Sequence, residues 1–444
     1  MKRRHFISLA ALACPPVAAQ PAASAASAAS AASDSPAAPA AAERRDWLDN
    51  FGPARQPWMD KLRSLRQGRA EVFRIVQIGD SHTAGDFFTG ELRAMLQGQW
   101  GNAGAGWVWP AAVAGQRAAV MRYAASGWQT LTARQETGGL PLGGVMARSQ
   151  AQGSGGYVLL TPAEGYTGPQ RAAALVRPVR AQGPLRFEDA QGLAHTEAAD
   201  AAGAADAAGA AGAAESADAA PGQGWRVIRF RAEPPLRITA QAGDVWELGP
   251  VGFETGGAGV TVSALGLNGA QITHADRWRS GWPQDLLATR ADLLIFAFGT
   301  NEAFDAHPDP ERMETAWARV LDAARRTLPR AGLLLLGAPD VLRAGAPQDG
   351  GDCERPLWLG LVQRMLRRQA QAAQALWWPW QDAMGGPCSS RRWQADGLMA
   401  ADGVHFTPAG YARAARLLGA SLMRWAQTLP EPVPEPVPEP PPKA

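Results

Sequence analysis

The chain has 444 residues, including 35 Pro and 49 Gly, and its 43 basic residues nearly balance its 41 acidic ones. Beyond the N-terminus no apolar run reaches the roughly 20 residues required to cross a bilayer, which excludes a membrane helix bundle. A net charge of +2 supplies no field for nucleic acid or for an anionic membrane surface. Binding partners must therefore be inferred from individual binding or catalytic sites.

Residues 1–19 have the pattern of a secretory signal peptide. A basic segment, Met1–His5, precedes an apolar stretch and a run of small residues ending at Ala19. We expect export to the periplasm. A twin-arginine route and lipoprotein anchoring through Cys14 are the alternatives.

Three segments have compositions that cannot offset the entropy of folding. They are an Ala, Ser and Pro linker at 20–46, an Ala/Gly loop at 198–222 and a Pro-rich tail at 430–444, which favours polyproline II. We predict that the Ala/Gly loop is disordered.

Two cysteines remain after signal cleavage, Cys353 and Cys388. In an oxidising compartment we expect them to pair, whereas two buried free thiols are the alternative. Closing the loop between them would stabilise the fold by about 3 to 4 kcal/mol in the chain-entropy model.

The first predicted elements are a strand, Val72–Ile78, a tight turn and an amphipathic helix at 86–97. Continuous apolar runs later in the chain are typical of strands buried on both faces, at 291–298 and 332–337. Helical patterns alternate with them, at 311–328, 357–375 and 408–428. Thr407 is the predicted N-cap of the last helix. The alternation predicts a doubly wound α/β domain with its site at the carboxyl ends of parallel strands.

Between residues 112 and 258 the pattern changes to short β-type segments separated by Gly and Pro. Examples lie at 157–161, 172–179, 225–230 and 236–240. They predict a β-sandwich or jelly roll inserted into the α/β domain. The α/β domain then consists of two parts, at 47–111 and 259–429.

Ser81 follows the first strand and opens a helix, a position where a nucleophile has an oxyanion donor in its own backbone N–H. It does not lie in a G-x-S-x-G elbow, which excludes the α/β-hydrolase layout. Asp402 and His405 share one loop before the last helix. An Asp three residues before a His can hold the imidazole Nδ1–H and leave Nε2 to accept a serine proton.

Two further residues lie between these motifs. Asn301 follows the strand at 291–298, and its amide can donate to an oxyanion. Gly269 follows a strand-like segment at 260–265, where the absence of a Cβ lets a backbone N–H approach closely. Each motif alone is more often a turn or a surface pair, but together they fall at strand ends of one predicted sheet.

The order Ser81, Gly269, Asn301, then Asp402 and His405 resembles that of the SGNH, or GDSL, hydrolases. Longer blocks resemble the periplasmic peptidoglycan O-acetylesterases of Gram-negative bacteria more closely. These blocks are 75–86, 115–117, 140–144, 268–271, 299–304 and 402–406. The resemblance implies a three-layer α/β/α fold with a parallel, flavodoxin-like sheet and an inserted jelly roll of the carbohydrate-binding type.

The resemblance also implies a serine esterase that removes O-acetyl groups from the muramic acid of peptidoglycan. Ser81, His405 and Asp402 would be the catalytic triad, and the N–H groups of Ser81 and Gly269 with the Asn301 amide would form the oxyanion hole. We expect a monomer that requires no cofactor. The alternatives are an O-acetyltransferase, an acetylesterase for another polysaccharide and a non-catalytic wall-binding protein.

Other polar and aromatic residues are expected to have structural roles. His195, His274 and His307 lack ligand spacing, so we predict no metal site. His82 is expected to pack or to hydrogen-bond locally, and Asp80 to make a local Asx bond. We expect Trp107, Trp109 and Trp128 mostly to be buried, with stacking on sugars as the alternative.

Overall fold

The computed structural model describes residues 46–151, 155–199, 224–343, 353 and 355–428. The predicted signal peptide, the linker up to residue 45, the Ala/Gly loop from residue 200 onwards and the Pro-rich tail lie outside the described residues.

The strands of the described residues are numbered in chain order. Their bounds are Asp49–Asn50 (β1), Val72–Gly79 (β2), Gly106–Val108 (β3), Met121–Ser126 (β4), Trp128–Thr132 (β5), Val145–Ser149 (β6), Gly156–Pro162 (β7), Gln170–Arg180 (β8), Leu185–Asp189 (β9), Gly192–Glu197 (β10), Arg226–Ala232 (β11), Leu236–Ala240 (β12), Val245–Glu254 (β13), Gly259–Gly266 (β14), Leu293–Ala297 (β15), Gly332–Leu336 (β16) and Leu376–Trp378 (β17).

The helices are numbered in the same way. Their bounds are Pro57–Arg66 (α1), Ser81–Ala84 (α2), Phe88–Trp100 (α3), Trp282–Thr289 (α4), Thr300–Ala303 (α5), Pro310–Thr327 (α6), Leu359–Ala372 (α7), Trp380–Met384 (α8), Ser389–Ala395 (α9) and Pro408–Gln427 (α10). A 3₁₀ helix spans Ile272–Arg277.

One six-stranded sheet, in the order β1-β17-β16-β15-β2-β14, lies at the centre of the α/β part. The last five of these strands are parallel, and their order corresponds to the flavodoxin-like 2-1-3-4-5 arrangement. The first, β1, pairs antiparallel with β17. Five strands thus have the expected parallel arrangement, but β1 makes the sheet mixed; a two-residue strand leaves no pattern in the sequence.

Side chains of the central strands alternate between two apolar clusters. In β2, Val76 and Ile78 contribute to one cluster and Phe73 and Ile75 to the other. Strands β15 and β16 divide their side chains in the same way, and all five residues of each are buried. Burial on both faces is the physical reason that these segments are continuous apolar runs.

The segment between β2 and β14 contains an all-β region. Five strands form a sheet in the order β10-β9-β12-β7-β4. Five others form a second sheet in the order β11-β8-β13-β6-β5, and β3 is its sixth strand, paired with β13. The strand pairs are antiparallel. Apolar side chains from both sheets, such as Phe187 and Trp246, share one core.

Specific hydrogen bonds attach the all-β region to the central sheet. The backbone N–H of Trp107 donates to Ser263 Oγ at 2.8 Å, and Trp109 Nε1 donates to the Gly266 carbonyl at 3.0 Å. Both tryptophans are buried, as expected, whereas Trp128 is only half-buried. The all-β region thus packs beside the end of β14, where the predicted site begins.

Cys353 and Cys388 form a disulfide, the pairing that the sequence predicts. It closes a loop beside α9, whose Trp393 packs on Phe406 with ring centroids 5.4 Å apart. Within the described ranges, no helix is long and apolar enough to cross a membrane.

Candidate active site

Ser81 is the first residue of α2, directly after the central strand β2. Asp80 is the N-cap, and its carboxylate accepts a hydrogen bond from the His82 backbone N–H at 3.0 Å, which is the expected Asx bond. A cap of this kind fixes the backbone direction at the helix start. The Ser81 side chain is therefore held at the carboxyl edge of the sheet.

Ser81, His405 and Asp402 form a continuous hydrogen-bonded chain. His405 Nε2 lies 2.9 Å from Ser81 Oγ, and His405 Nδ1 lies 2.7 Å from Asp402 Oδ2. The side chains of His405 and Asp402 are 42% and 49% exposed. The structure thus brings together the three residues of the predicted triad, 324 positions apart in sequence, in a place that solvent reaches.

Backbone hydrogen bonds hold the loop that carries Asp402 and His405. The Ala400 N–H donates to the His405 carbonyl at 2.8 Å, and Leu342 N–H donates to the Gly403 carbonyl at 2.8 Å. Thr407 caps α10, as predicted, by accepting from the Gly410 N–H. These bonds fix the direction of the imidazole toward Ser81.

The environment of Asp402 keeps it ionised. Partial burial raises its pKa, but hydrogen bonds from the His405 side chain and from the backbone N–H groups of His405 and Val404 outweigh burial, so its pKa is below the ordinary value. An ionised carboxylate holds the Nδ1–H tautomer of His405. That tautomer presents an unprotonated Nε2 to the serine.

Gly269 and Asn301 lie just after β14 and β15, the strands on either side of β2. Gly266 at the end of β14 and Ala297 at the end of β15 are both level with Gly79. Gly269 has a φ of +71°, which suits glycine. In the described part of the chain, the N–H groups of Ser81 and Gly269 donate no hydrogen bond. Both are available to an oxyanion.

The Asn301 amide is fixed by the loop that contains Gly269. Its Nδ2 donates one hydrogen bond to the Ala270 carbonyl at 2.9 Å. A primary amide has two N–H groups, so the second remains for another acceptor. The amide is thus oriented by one bond and has one donor left over.

Residues 115 and 116 brace the loop that contains Gly269. The Asn268 amide donates to the Gly115 carbonyl at 2.9 Å. In the amide orientation that satisfies both of its ends, Gln116 donates to the Gly266 carbonyl and accepts from the Asn268 N–H at 2.9 Å. This part of the chain leads into the all-β region and holds the loop that contains Gly269 in place.

Buried groups around Ser81 have strongly shifted pKa values. Burial, with a smaller contribution from the nearby His405, lowers the pKa of His82 to about 3, so its ring is neutral. Its Nδ1 lies 3.0 Å from the Tyr411 hydroxyl, a long-range contact. Burial raises the pKa of Asp80 to about 8 and that of Glu302 to about 7, and the charge of Glu302 adds to the shift of Asp80.

Sequence reasoning missed two residues of this site. The first is Arg134, whose guanidinium covers Gly269: a Cβ placed on that glycine would lie 3.0 Å from Arg134 Cζ. The second is Glu302, whose Oε1 accepts from the Ile272 N–H at 2.7 Å. Glu302 adjoins Asn301 and could have been found by proximity, whereas Arg134 comes from the all-β region and has no local signal.

Within the described ranges, no group of three or more His, Cys, Asp or Glu residues is arranged to hold a metal ion. His274 instead caps the 3₁₀ helix by accepting from the Gln271 N–H. Its pKa is lowered to about 4 by burial and by neighbouring arginines, Arg277 first.

Comparisons with known proteins agree with this geometry. A family model described as the N-terminal domain of peptidoglycan O-acetylesterase matches residues 103–204, and the GDSL-like lipase/acylhydrolase model matches residues 248–413. A solved structure described as "Peptidoglycan O-acetylesterase in action, 5 min" is 41% identical, with a TM-score of 0.74, and the match covers 86% of this chain and 99% of that one. The chain belongs to the peptidoglycan O-acetylesterase family. Its fold is that of the GDSL hydrolases with an additional all-β region.

More distant solved structures match about a third of the chain. A carbohydrate esterase family 3 member from Talaromyces cellulolyticus is 17% identical, covering 38% of this chain and 72% of that one, with a TM-score of 0.28. A carbohydrate acetylesterase from Sinorhizobium meliloti is 12% identical, with a TM-score of 0.28, and the match covers 37% of this chain and 79% of that one. The comparison with curated proteins found no match.

Proposed function

We propose that this member of the family is a serine esterase that removes O-acetyl groups from the muramic acid of peptidoglycan. The observation that carries the proposal is the hydrogen-bonded chain from Asp402 through His405 to Ser81. Its membership of the peptidoglycan O-acetylesterase family, with 41% identity over 86% of the chain to one solved structure, supports the substrate.

The reaction is a two-step acyl transfer. His405 Nε2 accepts the Ser81 hydroxyl proton as Oγ forms a bond to the acetyl carbonyl carbon. Collapse of the tetrahedral intermediate breaks the ester bond, and the protonated His405 gives its proton to the departing sugar oxygen. Water, deprotonated by His405, then attacks the acetyl-enzyme and releases acetate and Ser81.

The oxyanion forms on the acetyl carbonyl oxygen in both steps. The proposed donors are the N–H groups of Ser81 and Gly269 and the second N–H of the Asn301 amide. They belong to adjacent strand ends, so no large movement is required to bring them to one oxygen atom. Each such donor contributes a factor of about 100 to 1,000 in turnover. The Arg134 guanidinium over Gly269 adds positive charge at this point.

Finer features of the architecture are part of the same proposal. We infer a three-layer α/β/α hydrolase domain formed by residues 47–111 and 259–429, with residues 112–258 as a jelly roll of the carbohydrate-binding type. The two apolar clusters on opposite faces of the central sheet support the layers. The two antiparallel sheets around one core support the jelly roll. A monomer in the periplasm, delivered by the signal peptide, completes the proposal.

Acetate release from native O-acetylated peptidoglycan tests this function. The full chain should release acetate, and Ser81→Ala should abolish release while its thermal unfolding remains that of the wild type. Ser126→Ala is the matched control, since Ser126 is an exposed serine in β4. Acetate release by Ser81→Ala would refute the assignment. Transfer of acetyl to added chitooligosaccharide in place of acetate release would instead identify an O-acetyltransferase.

A further inference from the structure

A cavity of about 310 Å³ lies between the all-β region and the α/β part, at the end of β2 opposite to Ser81. Arginine supplies most of its polar lining among the described residues: Arg74, Arg171, Arg229, Arg231 and Arg290 face it, against one acidic residue, Glu254. The whole chain has 43 basic and 41 acidic residues. If the charged residues of this cavity reflected the composition of the chain, basic and acidic residues would be about equally frequent. Positive charge is therefore concentrated in this cavity. We call this cavity the arginine cleft.

Glu254, the one carboxylate in the described lining of the arginine cleft, is already paired. Glu254 accepts two hydrogen bonds from Arg74, with Nε–Oε1 at 2.6 Å and Nη2–Oε2 at 2.9 Å. This bidentate pair balances Arg74 alone. Arg229 donates to the Ala288 carbonyl. Arg171, Arg231 and Arg290 are exposed, and the described residues of the lining include no second carboxylate.

The strand register places like charges together. Arg231 of β11 is directly opposite Arg171 of β8, and Arg229 lies one side-chain step along the same face of β11. Like charges directly opposite each other in a sheet are destabilising. The fold therefore tolerates a repulsive pair at this place, which suggests that the arginines have a use other than stability.

Arg290 has a second unfavourable feature. It is the C-cap of α4 and has a left-handed backbone with a φ of +51°. Glycine is the residue that helix ends prefer in this conformation. Arginine here extends a guanidinium to the arginine cleft from the α/β side. Cationic groups thus reach the cavity from both parts of the protein.

Aromatic side chains form the apolar part of the cavity lining. Trp107 and Phe253 are buried beneath it, and Phe230 lies at its side. Guanidinium groups match carboxylates in planar, bidentate geometry, and aromatic walls suit small apolar side chains. This combination fits a short peptide with more than one carboxylate better than it fits a bare inorganic anion.

We propose that the arginine cleft binds the carboxylates of the stem peptides that peptidoglycan carries, an inference that rests on the proposed function. At about 3.3 Å per residue, β2 takes the chain about 20 Å from Arg74 to Ser81. One acetylated sugar cannot occupy both places. The arginine cleft therefore recognises a segment of the polymer away from the sugar being deacetylated.

Binding of a muramyl tripeptide with free carboxylates to the full chain tests the proposal, by calorimetry at low ionic strength. The same compound with amidated carboxylates and inorganic phosphate are the comparison probes. Arg171→Gln/Arg231→Gln should weaken tripeptide binding at least tenfold, while its melting temperature stays equal or rises because the repulsive pair is gone. Arg122→Gln, an exposed arginine of β4, is the matched control and should bind as the wild type does. Arg290→Gln, on the α/β side, tests the cleft independently of the all-β sheets.

Weaker binding of the amidated compound and of both cleft variants supports the proposal. The proposal is wrong if the cleft variants bind the tripeptide as tightly as the wild type does. It is also wrong if the wild type binds the amidated compound as tightly as the free tripeptide. Phosphate binding as tightly as the tripeptide would also overturn the assignment to a peptide. Acetate release by the wild type is measured separately, so a failure of the proposed function is distinguishable from a failure of the cleft.

Discussion

Replacement of Asn301 by Ala isolates one oxyanion donor. One N–H of its amide donates to the Ala270 carbonyl at 2.9 Å, and the other is the proposed donor to the substrate. Loss of the substrate bond should lower kcat by about 100-fold to 1,000-fold, equivalent to about 2.7 to 4 kcal/mol of transition-state stabilisation. Loss of the Ala270 bond should lower the free energy of unfolding by only about 1 kcal/mol.

The two effects separate in two assays. Steady-state acetate release gives kcat and KM, and denaturant unfolding gives stability. We expect KM to change little, because the oxyanion does not exist in the ground state. Asn301→Asp should be worse than Asn301→Ala, since a carboxylate repels the developing oxyanion. Asn50→Ala removes the amide of another loop-bonded asparagine far from Ser81 and should leave kcat unaltered.

A kcat for Asn301→Ala within tenfold of the wild type, in a variant with intact unfolding behaviour, would refute this reasoning. A loss of activity that parallels a large loss of stability would also refute it. In that case Asn301 would act through the loop that contains Gly269 and not through the oxyanion.

Three further predictions follow from the contacts around the site. Asp402→Asn should lower kcat by about four orders of magnitude, because an amide favours the wrong tautomer of His405; stopped-flow acetate assays check this. Burial raises the folded-state pKa of Asp80 to about 8, so its contribution to stability is present in acid and is lost as pH rises toward 8. Asp80→Asn retains a capping oxygen. Between pH 5 and pH 8.5 its free energy of unfolding, measured by denaturant titration, should therefore rise relative to that of the wild type. A difference between the two free energies that does not change with pH would contradict a protonated, buried Asp80. Cys353→Ala/Cys388→Ala should lower the free energy of unfolding by about 3 to 4 kcal/mol, because a 35-residue separation is no longer closed; equal unfolding midpoints in wild type and variant would show that the disulfide is not stabilising.

The candidate triad and Gly269 could be predicted because each of these residues has a local sequence signal. Ser81 follows an apolar strand and an N-cap, Gly269 has a backbone that suits glycine, and Asp402 and His405 share one short loop. These constraints act over a few residues, so short motifs record them. Their arrangement around one sheet edge then follows from the rule that sites form at the carboxyl ends of parallel strands.

Features that depend on tertiary packing could not be predicted in this way. Strands β1 and β17 have two and three residues, too few for a periodic signal. Helix α3 starts at Phe88, later than predicted, because Asp86 has a φ of +47° and its carboxylate accepts from Thr89, Arg93 and the Ala119 N–H. Contacts between the two parts of the chain, such as Arg134 on Gly269, are set by docking and leave no mark in local sequence.

The proposed covalent intermediate gives the most direct test of the account. Wild-type enzyme mixed with O-acetylated substrate and quenched in acid during turnover should gain the mass of one acetyl group, located by peptide mapping on Ser81, and Ser81→Ala should gain none. Acetate release without an acetylated Ser81 peptide, or acetylation at another residue that turns over at the rate of acetate release, would contradict the account.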